Sequence, residues 1–138
     1  MKIRFIFLII FSVTHNLYYA QVPKLKSGNV YTLTAIFTAK QKNTLAANKA
    51  SLSFNTKTKL AKCFTGCNFI NLKYKNKKTN FKFTFINTSK QPPCPDHLLG
   101  IEEDLKQNLP KINTYKLINT QLIFFNTTDT LLIFNEQQ

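Results

Sequence analysis

The chain has 138 residues, with 19 Lys and Arg against 6 Asp and Glu, a formal net charge of +13. It is 43% hydrophobic and 13% aromatic, which supplies enough apolar surface for a packed core and excludes a disordered chain. Its glycines are Gly28, Gly66 and Gly100 alone, so it cannot build a Gly-rich phosphate loop, and the nucleotide-binding motifs that need one are excluded.

The chain opens Met-Lys-Ile-Arg, followed by the uncharged apolar run FIFLIIFSV at residues 5–13. Polar Thr14, His15 and Asn16 come next, then Tyr18, Tyr19 and Ala20. A positive start, a short greasy stretch and a small residue predict a secretory signal peptide over residues 1–20, cleaved before Gln21. The apolar run is less than half of the ~20 residues a membrane span needs, and no later stretch is long enough. The expected localisation is periplasmic or secreted. Residues 21–27 are read as a lead-in, and residues 28–138 as a single domain.

Cleavage would leave 17 lysines against 6 acids, net +11. Such a charge suits nucleic acid or an anionic surface. However, Arg4 is the only arginine, and phosphate and base readers favour the bidentate guanidinium fork. Nucleic acid is therefore not an expected partner. The lysines are read as solvated strand faces, with a weak contact to phospholipid or polyanionic sugar as the second reading.

Along the chain, Tyr31, Leu33, Ala35 and Phe37 alternate with Thr32, Thr34 and Ile36, the period of a strand. Residues 38–49 are read as a polar loop with room for a helical turn at Ala46 and Ala47. Ala50, Leu52 and Phe54 predict a second strand, residues 55–59 a turn, and residues 60–64 a third short strand. Ile70, Leu72 and Tyr74, then Phe81, Phe83 and Phe85, predict a hairpin about a lysine-rich turn at 75–80, with one greasy face and one lysine face. The Pro-rich segment 91–95 can be neither helix nor central strand. Asp96 is the expected N-cap of a helix whose Leu98, Ile101, Leu105 and Leu109 share one side, with Glu102, Glu103 and Asp104 on its solvated side and Pro110 closing it. Apolar runs at 115–118, 122–125 and 131–134, with turns at 119–120 and 126–129, predict a terminal meander. The expected class is mainly β (α+β): seven or eight antiparallel strands in a small barrel-like sheet, packed or plugged by one inserted amphipathic helix.

Candidates for chemistry are few. His97 is the one histidine beyond the signal, and it reads as an exposed first-turn residue rather than the partner of a nucleophilic Cys94. Cys63, Cys67, Cys94 and His97 have the count and spacing of a Cys3His metal set. An exported protein meets oxidising conditions, so one disulfide with a spare thiol is preferred, and the residues leave three bridges open. No catalytic, cofactor or metal residue is assigned.

Gly66-Cys67-Asn68 followed by Tyr74, a Thr88-to-Cys94 segment, an acidic amphipathic helix and a β meander resemble the META-domain (HslJ-like heat-shock) family. Tyr31 stands where that family often has Trp, Leu72 where it usually has Gly, and the Thr88-to-Cys94 segment is longer than usual. The resemblance implies a mainly antiparallel barrel with one helix, in exported bacterial proteins tied to heat-shock, envelope-stress or drug-resistance phenotypes without known catalysis. It also implies a Cys67–Cys94 bridge with Cys63 as the extra thiol, and a tight turn shaped by Gly66 and Asn68 in positive-φ conformations.

Three functions are carried forward. The first is a non-enzymatic module binding an envelope or secreted protein through an edge strand or the lysine face of the 70–85 hairpin. The second is a carrier of a hydrophobic small molecule between barrel and helix. The third is a Cys3His metal protein.

Overall fold

The computed structural model describes residues 24–38, 42–43, 50–89 and 93–137, so the signal segment 1–20 and most of the 38–49 loop lie outside the described residues. In chain order the elements are β1 (Val30–Phe37), β2 (Lys42–Asn43), β3 (Ser51–Asn55), β4 (Leu60–Phe64), β5 (Phe69–Lys77), β6 (Asn80–Ser89), α1 (Asp96–Asn108), β7 (Thr114–Ile118), β8 (Gln121–Asn126) and β9 (Asp129–Glu136). A 3₁₀ turn, Leu109–Lys111, joins α1 to the segment before β7.

Each strand follows from alternation. In β5, Ile70, Leu72 and Tyr74 are buried while Lys73 and Lys75 are exposed. Antiparallel neighbours pair in sequence order from β3 to β9, β1 pairs with β3, and β9 returns to pair with β1. Eight strands thus close a ring, with two-residue β2 against the far end of β1. Mainly-β architecture with one helix is what the alternating runs predict.

Among the described residues the ring carries three bulges, with Thr34, Ile86 and Leu131 lacking a direct partner in the register. A bulge adds local twist and bends its strand, and a sheet needs such devices to curl shut. They also correct the simple alternation. Beyond Thr34, Ile36 is buried and Phe37 only half-buried, the reverse of the expected order. Phe85, expected inside with Phe81 and Phe83, is 51% exposed beside the Ile86 bulge, where β6 bends and has no strand on its other side among the described residues.

The seam of the ring lies between β6 and β7, which pair only at Asn80–Thr114. Backbone bonds from Phe81 N–H to the Asn113 carbonyl (2.9 Å) and from Tyr115 N–H to the Thr79 carbonyl (3.3 Å) reinforce that point. The connection between these strands carries α1, and Leu98, Ile101, Leu105 and Leu109 join the same core as the ring interior. Helix formation here departs from expectation at both ends. Pro95 occupies the N-cap position, Asp96 is already helical, and its side chain makes no cap bond. Pro110 sits inside the 3₁₀ turn that tightens the exit instead of stopping the chain outright.

The interior of the ring is aromatic. Phe54, Tyr74, Phe81, Phe83, Tyr115 and Phe124 meet edge-on or stacked, with centroids between 4.7 and 6.5 Å apart. Such pairs add about 0.5–1.5 kcal/mol each beyond area burial.

Candidate functional site: two poles and an outer groove

The Gly66-Cys67-Asn68 tripeptide sits in the β4–β5 turn, at the end of the ring where α1 begins. Gly66 has φ +98°, which a side chain would strain. Asn68 is not in a positive-φ conformation, contrary to expectation; its role is a side-chain one. It is buried, and its amide donates to Glu102 Oε2 on α1. Thr65 closes the turn by accepting from Asn68 N–H (3.0 Å) and donating to the Asn68 carbonyl (3.2 Å).

Cys67 and Cys94 are joined by a disulfide across Cα atoms 5.7 Å apart, which fixes the segment before α1 to the β4–β5 turn. Glu102, read from its neighbours as part of a solvated helix side, is instead buried, held between Asn68 and the Lys106 ammonium. Burying a carboxylate is costly unless it is paired and hydrogen-bonded, and this one is both. The pole is a structural lock.

The four candidate metal ligands do not converge. Cys67 and Cys94 are bonded to each other, Cys63 is a free thiol wholly inside the core opposite Leu52 and Ile70, and His97 is exposed. Burial pushes the Cys63 thiol up to about 12, so it stays protonated and unreactive.

Tyr74, placed in one motif with the tripeptide, lies at the opposite pole, six strand residues or about 20 Å away. There it joins Tyr31 and Tyr115, and all three are buried. Burial raises each phenol above its ordinary value. The nearby Glu136 carboxylate adds to this at Tyr31 and Tyr115 adds to it at Tyr74, while a bond with Asn76 opposes it at Tyr115. The lead-in covers this pole. Leu25 is buried, Gly28 N–H bonds the Phe54 carbonyl (3.2 Å), and Ser27 Oγ accepts from Thr56 N–H (3.4 Å). Sequence reading missed Tyr31, Tyr115 and Lys59 as companions of Tyr74. The available signal was that all three tyrosines beyond the signal fall at inward positions of strands.

Outside the ring, Val30, Ser53, Leu60, Lys62, Asn71 and Ile86 line a groove of about 500 Å³ across β1 and β3–β6. Leu60 and Ile86 are 42% and 49% exposed. The lysine face of the β5–β6 hairpin runs on from it: Lys73 stands opposite Leu60, while Lys75, Lys77 and Lys82 line a smaller cavity farther along the hairpin. All four are exposed, and Lys75 stands directly opposite Lys82. Like charges across a ladder are destabilising. Among the described residues the ion pairs are Lys26–Glu136 and Lys106–Glu102, and neither involves a hairpin lysine.

A sequential, bulge-closed antiparallel ring with one helix at its seam, fastened by a Gly-Cys-Asn turn, defines a small single-helix barrel module. The META domain family matches residues 24–138, and the chain belongs to it. No curated protein matches the chain. Among solved structures, the chain is similar to the NMR structure of a protein from Burkholderia xenovorans (TM-score 0.65, 16% identity, 81% of this chain and 83% of that one). It is also similar to the crystal structure of a DUF4847 family protein from Bacteroides vulgatus (TM-score 0.55, 10% identity, 81% of this chain and 96% of that one). These likenesses concern the fold. Among the described residues no helix is long and apolar enough to cross a membrane.

Proposed function

We propose that this META-domain chain is an exported, non-enzymatic binding module of the periplasm or the secreted fraction. It holds an acidic, partly apolar segment of another envelope or secreted protein against the outer face of β3–β6. The carrying observation is the groove floored by Leu60 and Ile86, continued along the hairpin from Lys73, opposite Leu60, to the directly opposed Lys75 and Lys82. An acidic strand-like segment would relieve that opposition and cover the apolar floor together. The edge of β6 supports the same mode. Phe81 N–H points away from β5 toward Asn113 and the 3₁₀ turn packs against β6, but past Asn80–Thr114 no strand pairs with that side of β6 among the described residues, and by alternation the main chain of Phe85 points to it. The packed aromatic interior favours surface binding over carriage of a hydrophobic molecule inside the ring. A non-catalytic role is supported by the engagement of Glu102 with Asn68 and Lys106 and by the bridge between Cys67 and Cys94.

The test is titration with a short peptide alternating Glu and Val, read through amide resonances of residues 71–87. Binding should weaken with salt and fall at least about tenfold in Lys75→Glu/Lys82→Glu, about 1.4 kcal/mol. Equal binding by that variant, or binding to anionic vesicles without any to the peptide, refutes it. Export predicts a mature chain beginning at Gln21, and a recovered protein that retains Met1 contradicts it.

A further inference from the structure

The tyrosine pole carries a feature that the outer groove does not need. The hydroxyl of Tyr74 is buried without a hydrogen-bond partner among the described residues, whereas that of Tyr31 has Asn29 and the Lys26 main chain beside it. A buried polar group left unmade costs about 1–3 kcal/mol, and native proteins hold few of them. The Tyr74 hydroxyl does not serve the aromatic packing, since a phenylalanine would supply the same ring.

Over Tyr74 lies a cavity of about 370 Å³, lined by Lys24, Leu25, Thr56, Lys59, Tyr74 and Asn76. That volume is within the range of small-molecule pockets. Its shape follows from the β3–β4 turn. Asn55 Oδ1 accepts from Lys57 N–H and Thr58 N–H, both at 3.1 Å, and winds the chain so that Lys59 falls at φ +58°. The Lys59 carbonyl then accepts from Tyr74 N–H (2.9 Å), while its ammonium stands 5.5 Å from the Tyr74 ring centroid and 3.4 Å from Asn76 Oδ1. Lys24 supplies a second cation at the rim. Among the described residues neither Lys24 nor Lys59 has a carboxylate partner. Leu25 and the Tyr74 ring give the cavity apolar walls.

We propose that this pole is a binding site for a small organic anion with a short apolar body. Its charged group would sit between Lys24 and Lys59 with its body against Leu25, and, because the Tyr74 hydroxyl is covered in the unliganded fold, it would shift the lead-in over this pole enough to accept a hydrogen bond from that hydroxyl. This site is at the lead-in end of the ring, distinct from the outer groove, and stands or falls separately from the function proposed above.

The experiment titrates the isolated protein with hexanoate, using hexylammonium as the control of opposite charge, and follows the amide resonances of Leu25, Thr56, Lys59 and Asn76. Saturable binding of hexanoate near 1 mM or tighter is expected, with no saturation by hexylammonium. Tyr74→Phe should weaken hexanoate about tenfold, the worth of a hydrogen bond to a charged acceptor. It should not lower the melting temperature, because it removes a group that has no partner in the unliganded fold. Lys59→Gln should weaken binding as well. Failure of hexanoate to saturate, equal response to both probes, or unchanged affinity in Tyr74→Phe each overturns the proposal.

Discussion

Replacing Cys67 and Cys94 together by serine removes the covalent tie between the β4–β5 turn and the entrance of α1. The two cysteines are separated by 27 residues. Closing a loop of that length in the unfolded chain is worth about 3.5 kcal/mol at 25 °C by chain entropy. The matched domain, residues 24–138, spans 115 positions. At a typical unfolding entropy of about 2.1 cal/mol/K per residue, a loss of about 3.5 kcal/mol lowers the melting temperature by about 14 °C. Calorimetry of the oxidised protein, the same protein under reductant, and the double variant checks this. The reduced protein and the double variant should melt together, well below the oxidised form. A fall of less than about 5 °C would refute the reasoning, since the Asn68–Glu102–Lys106 bonds and the apolar face of α1 would then hold the helix unaided.

Glu102→Ala should cost about 2–3 kcal/mol by leaving the buried Asn68 amide without its carboxylate, whereas Glu103→Ala, exposed and bonded only toward Gln107, should stay within about 0.5 kcal/mol; urea midpoints of the pair decide it. Phe83→Ala should cost about 3–5 kcal/mol and Phe85→Ala less than about 1; equal losses would show that both face the core. Because burial pushes the Cys63 thiol from 9.0 to about 12, the unfolded chain releases that proton first. Between those values the folded state binds more protons, so stability falls as pH rises. The buried tyrosines add to the fall above about 10. Cys63→Ala should flatten the decline of the urea midpoint between about pH 9 and 10; an identical decline would acquit the thiol.

The strands were legible because half-buried antiparallel segments write their exposure into every second residue, as in Ile70–Leu72–Tyr74 against Lys73 and Lys75. The helix was legible because Leu98, Ile101 and Leu105 recur at its own period. Bulges were not. Whether Ile36 or Phe37 faces inward depends on what β9 offers across from Thr34, and alternation within one strand carries no record of its neighbour. The same holds for Glu102, whose burial is set by Asn68, 34 residues earlier. The motif that joined Gly66, Cys67 and Asn68 to Tyr74 reads as one cluster along the chain. Strand β5 separates its parts, leaving a lock at one end and a phenol at the other. Tyr31 and Tyr115 reach Tyr74 only once the ring has closed.

Every strand of the ring but one pair lies beside its neighbour in sequence. The exception joins Tyr31 to Glu136, 105 positions apart. As the nascent chain lengthens, hairpins such as β5–β6 can form from local contacts alone. The first strand, however, waits with one flank unmatched until the last has emerged. The ring therefore cannot close before the whole domain has been made, and the ladder between β1 and β9 is the last of its pairings to become possible.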